Sequence, residues 1–379
     1  MQGQLTAFIL LHNILILKRI ICTVTNDLTY DQRMQRICTT LAANGFEVIL
    51  VGKRLHGSAM LSLQSFQQKR LYCFFSKGFA FYAEYNLRLF FWLLFKKTDI
   101  LCAIDLDTIL PCYFVSALTG KQRIYDAHEL FTEQKEIVTR PFIHKCWLAI
   151  EKYTVAKFNH GYTVNNFIKD ELKKRYGVSY DVIRNLPVLI PLSKEERLGG
   201  GPFIIYQGAV NEGRSFETLI PAMKQVNAPL KIFGKGNFFY QAKKLVEENN
   251  LADKVVLAGF VLPEKLKQLT QQAHIGLTLF EKTGLNQYYS LSNRFFDYIM
   301  AGIPQVCVNY PEYKAINDKY NIALMIDDTK EETIAAAINK LLQEKELHEQ
   351  LRHNCVITRG ILNWQEEEKK LIAFYIGLV

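Results

Sequence analysis

The chain has no Cys-x-x-Cys pair, although it contains eight cysteines. Cys22, Cys73, Cys102 and Cys307 lie in apolar, strand-like runs, and no set of residues has metal-ligand spacing. Scattered thiols of this kind fit a reducing compartment rather than a disulfide framework. The chain also lacks an apolar run long enough to span a bilayer. Leu5 to Leu17 is apolar, but His12 and Asn13 interrupt it and it is too short. It has neither a basic leading region nor a small-residue cleavage site, so a signal peptide is not expected. Residues 1–13 read as an extension before a buried strand at Ile14 to Thr25, with a one-sided membrane anchor as the minority reading. Low-complexity segments are absent.

What is present suits a soluble α/β protein. A chain of 379 residues exceeds one typical core and suits two domains. The formal net charge of +9 favours polyanions: phosphorylated ligands, an anionic membrane or nucleic acid. A basic solvated surface with no such partner would give the same charge.

Short apolar runs alternate with helical segments throughout, the pattern of parallel strands joined by crossover helices. In the first half, strands are expected at 14–25, 46–53, 71–75, 100–105, 122–131 and 161–164, and VIRNLP (182–187) closes that half. Leu192 to Pro202, which is charged and then carries three glycines, reads as a linker. The expected domains are 1–190 and 200–361, with a last helix at 362–379 folding back on the first. The alternation restarts at 203–208 and continues at 230–237, 254–260, 274–280, 305–309 and 322–326. The expected fold is therefore α/β, with two Rossmann-like, doubly wound parallel sheets facing a cleft.

Phe79 to Lys97 is rich in Phe, Tyr and Trp and ends in two lysines. It reads as a core crossover helix or as a surface helix bedded in a membrane interface, with Lys96 and Lys97 on anionic head groups. Both hold if only part of it is exposed.

Polar residues after buried strands lie where open α/β sheets place their ligands. In the first half these are Asp27, Asp31 and Arg33, then Asp126, His128 and Glu129, which makes His128 a better candidate than His144 or His160. In the second half, loops after Gly208, Gly234 and Phe280 would gather Arg214, Lys235 and the stretch Tyr288 to Pro304. That stretch enters a helix through Ser290, Leu291, Ser292 and Asn293 and carries Asp297 one turn in. A helix entry bares N–H groups at a positive dipole end, which suits an anion. An Arg fork binds two phosphate oxygens at once, and a carboxylate accepts from sugar hydroxyls. Such a cluster would stabilise a diphosphate leaving group.

From about Ile14 to Leu371 the chain resembles two-Rossmann-domain (GT-B) glycosyltransferases of group 1, or family 4. GAVNEGRSFETLI is similar to the family's glycine-to-Lys/Arg segment, FGKGN to the next strand-turn, and SNRFFDYIMAGIPQV to the helix whose acid binds the nucleotide ribose. TNDLTYDQRMQRICTTLAANGFEVILVG, DLDT, YDAHELF and TVNN are similar to variants in bacterial surface-polysaccharide enzymes. The resemblance puts Arg214 at the phosphate, Asp297 at the ribose and His128 at the acceptor-side histidine near the transferred sugar. The chain departs from the family at Tyr289, where a glutamate is usual, at Asp297, an Asp in place of Glu, and at Ala209, where a second basic residue is usual. Lys235, Arg294 or Arg33 would have to supply that cation, and Glu281 lies further upstream than the missing acid.

The resemblance implies a hexosyltransferase-type enzyme. It would move a sugar from a nucleotide-diphosphate donor to a lipid-linked or polysaccharide acceptor, with retention, no cofactor and no metal, in polysaccharide biosynthesis at the cell envelope. The expected partners are the nucleotide sugar, the acceptor and an anionic membrane surface, and not nucleic acid. The expected location is cytoplasmic, with peripheral attachment at the inner membrane face. A nucleotide-sugar epimerase of similar fold and an inactive nucleotide-sugar or membrane-binding scaffold are the alternatives.

Overall fold

The computed structural model describes residues 18–192 and 201–378. The extension expected over 1–13, the start of the first strand at 14–17 and the linker from 193 to 200 lie outside the described residues. The chain divides into unit 1, Met1–Arg184 with Glu368–Val379, and unit 2, Asn185–Glu367.

Unit 1 is built on β1 (Arg19–Thr23), β2 (Glu47–Arg54), β3 (Gln67–Tyr72), β4 (Ile100–Ile104), β5 (Gln122–Ala127), β6 (His160–Thr163) and β7 (Asp181–Val182). They pair in the order β3-β2-β1-β4-β5-β6-β7, every pair parallel. β4 is buried along its whole length, as a strand covered on both faces must be. The crossovers are α1 (Gln32–Ala43), α2 (Gly78–Leu94), α3 (Ile109–Thr119), α4 (Pro141–Thr154) and α5 (Asn166–Tyr176). Asp31 caps α1 by accepting from the Met34 N–H at 2.9 Å, and Met34, Ile37, Cys38 and Leu41 form its buried stripe. Each fully buried aliphatic side chain of this kind contributes about 1.5–3 kcal/mol.

One strand differs from the sequence reading. β3 starts four residues earlier than expected and is mostly polar, because it is an edge strand; Phe74 and Phe75, read as part of it, are exposed instead. Where VIRNLP (182–187) closes the first half, β7 is the two residues Asp181–Val182. Ile183 still bonds Thr163 at 2.8 Å, after which the chain leaves the sheet.

Unit 2 repeats the topology. β8 (Ile204–Gln207), β9 (Leu230–Phe233), β10 (Val255–Gly259), β11 (Ile275–Thr278), β12 (Gln305–Val308) and β13 (Ala323–Ile326) pair in the order β10-β9-β8-β11-β12-β13, all parallel. Its helices are α6 (Phe216–Ala222), α7 (Phe239–Glu248), α8 (Pro263–Gln272), α9 (Asn293–Ala301), α10 (Pro311–Tyr320), α11 (Glu331–Gln343) and α12 (Lys345–Thr358). α9 packs so close to the sheet that a Cβ on Gly276 would lie 2.5 Å from the Tyr298 ring. The fully buried Tyr298 hydroxyl donates to the Ile205 carbonyl at 3.2 Å and accepts from the Gln207 N–H at 3.3 Å. α13 (Trp364–Ile376) ends in unit 1, where Tyr375 is buried edge-on against Phe46 and Tyr162.

In both sheets the strand order reverses beside the first strand, between β1 and β4 and between β8 and β11. Doubly wound sheets bind ligands outside the carboxyl ends of the strands at this point.

Candidate active site

In unit 2 the switch point is built from the ends of β8 and β11 and the start of α9. Gly208 has φ 117°, and Gly234 beside it has φ 144°. A Cβ on Gly234 would fall 1.8 Å from the Gly208 carbonyl oxygen, so the ends of β8 and β9 can lie this close only as glycines. Two guanidinium groups share the Phe280 ring that follows β11: Arg214 lies 4.3 Å and Arg294 5.1 Å from its centroid. Arg294 also sits 4.2 Å over Tyr206. Only 6% of Arg294 is exposed, and its Nη1 has no hydrogen-bond partner among the described residues. Its Nη2 lies 3.7 Å from where a Cβ on Gly208 would be, so the guanidinium borders that glycine. A buried cation costs free energy unless something anionic or hydrogen-bonding meets it.

Asp297, half-buried one turn into α9, accepts from Gln207 Nε2 at 2.9 Å, and Thr270 Oγ1 of α8 donates to Gln207 Oε1 at 2.6 Å. This chain of three side chains fixes the carboxylate. The polar entry to α9 is less open than its sequence suggests. The Ser292 N–H donates to Tyr313 Oη at 3.0 Å, the Ser290 hydroxyl donates to the Gln287 carbonyl at 2.8 Å, and Asn293 Oδ1 accepts from Asn185 at 2.8 Å. Leu291 packs against the core of the unit. In the first turn of α9 the Phe295 N–H donates to the Ser292 carbonyl at 3.1 Å, and the N–H groups before it have no acceptor within the helix. Lys235 is exposed, and its stem passes Gly259 at the end of β10.

In unit 1 the switch point gathers carboxylates. Arg33 makes a fork of two 2.7 Å hydrogen bonds to the fully buried Asp126, so each of these two candidates is engaged by the other. Asp31 is spent on capping α1 and accepting from Asn26. Asp27 accepts from Arg70 at 2.7 Å and from Thr29 and Ser58, which orders the loop after β1. Glu129 is half-buried and accepts from Gln134. His128 follows β5 with about a third of its side chain exposed, and its Nδ1 lies 3.1 Å from Asp105 Oδ1 at the end of β4. Burial, and then the Arg33 charge, push the His128 pKa down to about 3, so the ring is neutral. Burial pushes Asp105 well up, reinforced by Glu129, Asp107 and Asp126. Asp105, His128 and Glu129 bring ligand atoms within 4.8 Å of one another, a grouping that could also hold a cation.

Sequence reasoning missed Asp105 and Gln207 as site residues. Asp105 had a usable signal, since it stands at the end of a continuous apolar strand. Gln207 had none, because its role depends on Thr270 of α8 and Asp297 of α9, which only the fold brings to it.

The family of glycosyl transferases group 1 matches residues 192–355. Solved structures match nearly the whole chain. Sucrose-phosphate synthase from Thermosynechococcus elongatus superimposes with a TM-score of 0.78 at 15% identity, covering 95% of this chain and 99% of that one. The chain thus has the GT-B fold, and its second half carries a domain of the group 1 glycosyl transferases. HepE from Anabaena in complex with UDP-glucose is similar with a TM-score of 0.75 at 10% identity, covering 95% of this chain and 100% of that one. WaaG, a glycosyltransferase involved in lipopolysaccharide biosynthesis, has a TM-score of 0.71 at 14% identity, with 93% and 98% covered. No curated protein matches this chain in sequence. Among the described residues no helix is long and apolar enough to cross a membrane.

Proposed function

We propose that this glycosyltransferase takes its sugar from a nucleoside-diphosphate donor held in unit 2. Arg294 carries the reading: its guanidinium is buried, with an unpartnered Nη1, beside a glycine at the β8–β11 switch point. Arg294 and Arg214 would bind the diphosphate as charge grows on it during departure, helped by the first-turn N–H groups of α9. Arg294 stands in for the basic residue replaced by Ala209. Asp297, fixed through Gln207 and Thr270, would accept from the ribose hydroxyls. HepE in its UDP-glucose complex, similar in fold, supports a uridine nucleotide.

His128 is the unit 1 group that would meet the transferred sugar. By likeness to the family, the acceptor hydroxyl would attack on the face the diphosphate leaves, which retains configuration, and the cations around the diphosphate would stabilise its charge without a metal. The acceptor would be a lipid-linked or polysaccharide sugar. The likeness to WaaG supports that choice, as do the aromatic side chains Phe79, Phe91 and Phe95, exposed near Lys77, Lys96 and Lys97. The comparisons favour a transferase over an epimerase.

A calorimetric titration with UDP tests the donor site. Asp297→Ala is expected to weaken binding by about 1–3 kcal/mol, the scale of hydrogen bonds to a charged acceptor. Unchanged affinity would remove Asp297 from the site. Nucleotide-sugar that epimerises without an acceptor would favour the epimerase, and binding without any turnover would favour the scaffold.

A further inference from the structure

Asp105 has φ 58° and ψ 174°. Backbone in that region is almost confined to glycine, because a Cβ there meets its own chain, and other residues persist only where the surroundings force them. The forcing is visible here. The Asp105 N–H donates to the Asp126 carbonyl at 2.9 Å, which pins the end of β4 to β5, and the whole of β4 before it is buried. Glycine would relieve the strain, yet the position holds an aspartate whose side chain is 12% exposed. Its Oδ1 faces His128 Nδ1 at 3.1 Å, and neither atom is yet aligned with a hydrogen-bond partner among the described residues. Site hydrogen bonds are commonly misaligned before substrate binds and tighten in the complex. With Nδ1 buried and about a third of the side chain open, the accessible edge of the ring is the one carrying Nε2.

We propose that Asp105 is a positioning residue: it holds one proton between its Oδ1 and His128 Nδ1, fixes the tautomer and angle of the ring, and so aims Nε2 at a hydroxyl of the transferred sugar. The proposal rests on the reading of His128 as the group that meets the sugar, but its first half stands on unit 1 alone. The chain keeps a strained aspartate where glycine would be more stable, because the carboxylate is needed.

The test uses the full-length protein with Asp105→Gly, Asp105→Ala and His128→Ala. The glycine variant is expected to melt above the alanine variant and at or above the wild type, since only glycine relieves the φ. In ¹⁵N spectra of the histidine rings, with His128 assigned by its loss in His128→Ala, the wild type is expected to show one fixed tautomer and Asp105→Gly an exchange-averaged one. In sugar transfer, Asp105→Gly is expected to lower kcat at least about tenfold, with KM for the nucleotide sugar nearly unchanged, and to add little to the loss in His128→Ala. A glycine variant that melts lower than alanine, a His128 signal indifferent to Asp105, or losses that multiply would each overturn the proposal. So would a His128 signal that shifts on titration with Mg²⁺ or Zn²⁺ and ceases to do so in Asp105→Gly, which would make the cluster a cation site. If the wild type transfers no sugar, the reading of function fails while the melting and tautomer results still decide the role of Asp105.

Discussion

At Asp107 the chain pays in stability for a buried carboxyl. Burial pushes its pKa up to about 6, although Thr25 donates to it and Lys53 is near. The ordinary unfolded value is about 3.9, so between about pH 4 and pH 6 the folded chain holds a proton that the unfolded chain releases. Stability therefore falls as pH rises through that window and stays lower above it. The stability gain of Asp107→Asn over the wild type should be about 2 kcal/mol larger near pH 7.5 than near pH 4.5, read from urea midpoints at the two pH values. Equal shifts at both would show that Asp107 does not titrate in this way. At this scale the sequence showed which strand ends carry polar residues, and so put Arg214 and the 288–297 stretch near each other. It did not show which candidates are already engaged. The Arg33–Asp126 fork and the Asp31 cap depend on distances that only the fold sets. The positive φ of Asp105 leaves no trace in composition.

Among the elements, α2 was read in two ways, and it has two faces. Phe81, Tyr85, Leu89 and Leu93 recur every four residues and are buried, while Phe79, Leu87 and Phe91 are exposed. Phe90 and Trp92 pack partly on the core, so replacing them would confuse folding with surface loss. Phe79, Phe91 and Phe95, at 83%, 52% and 81% exposure, are the side chains to change. Their replacement by serine is expected to leave the melting temperature nearly unchanged and to reduce sedimentation with vesicles containing phosphatidylglycerol. Undiminished sedimentation would remove this face from membrane binding. Elements with a strong period were legible, α1 and β4 among them. The polar edge strand β3 was misplaced because few of its residues face a core.

For the molecule as a whole, the repeated strand order puts two switch points at the carboxyl ends of two parallel sheets, and each carries its own chemistry. Unit 2 gathers cations and a fixed carboxylate; unit 1 gathers carboxylates around a neutral histidine. The family match falls on residues 192–355, where the motifs form long continuous segments. In unit 1 the resemblance runs through one long segment, residues 25–52, and then short pieces at strand ends such as DLDT and YDAHELF, and the fold carries more of the likeness. The central claim is that Arg294 meets the donor diphosphate. The direct measurement is calorimetric binding of UDP and of uridine to the wild type and to Arg294→Gln, with the guanosine, adenosine and thymidine pairs run beside them. The expected result is a loss of about tenfold or more for the diphosphate and none for the nucleoside. Equal affinity of the two proteins for UDP, or a wild type that binds no nucleoside diphosphate, would contradict the account.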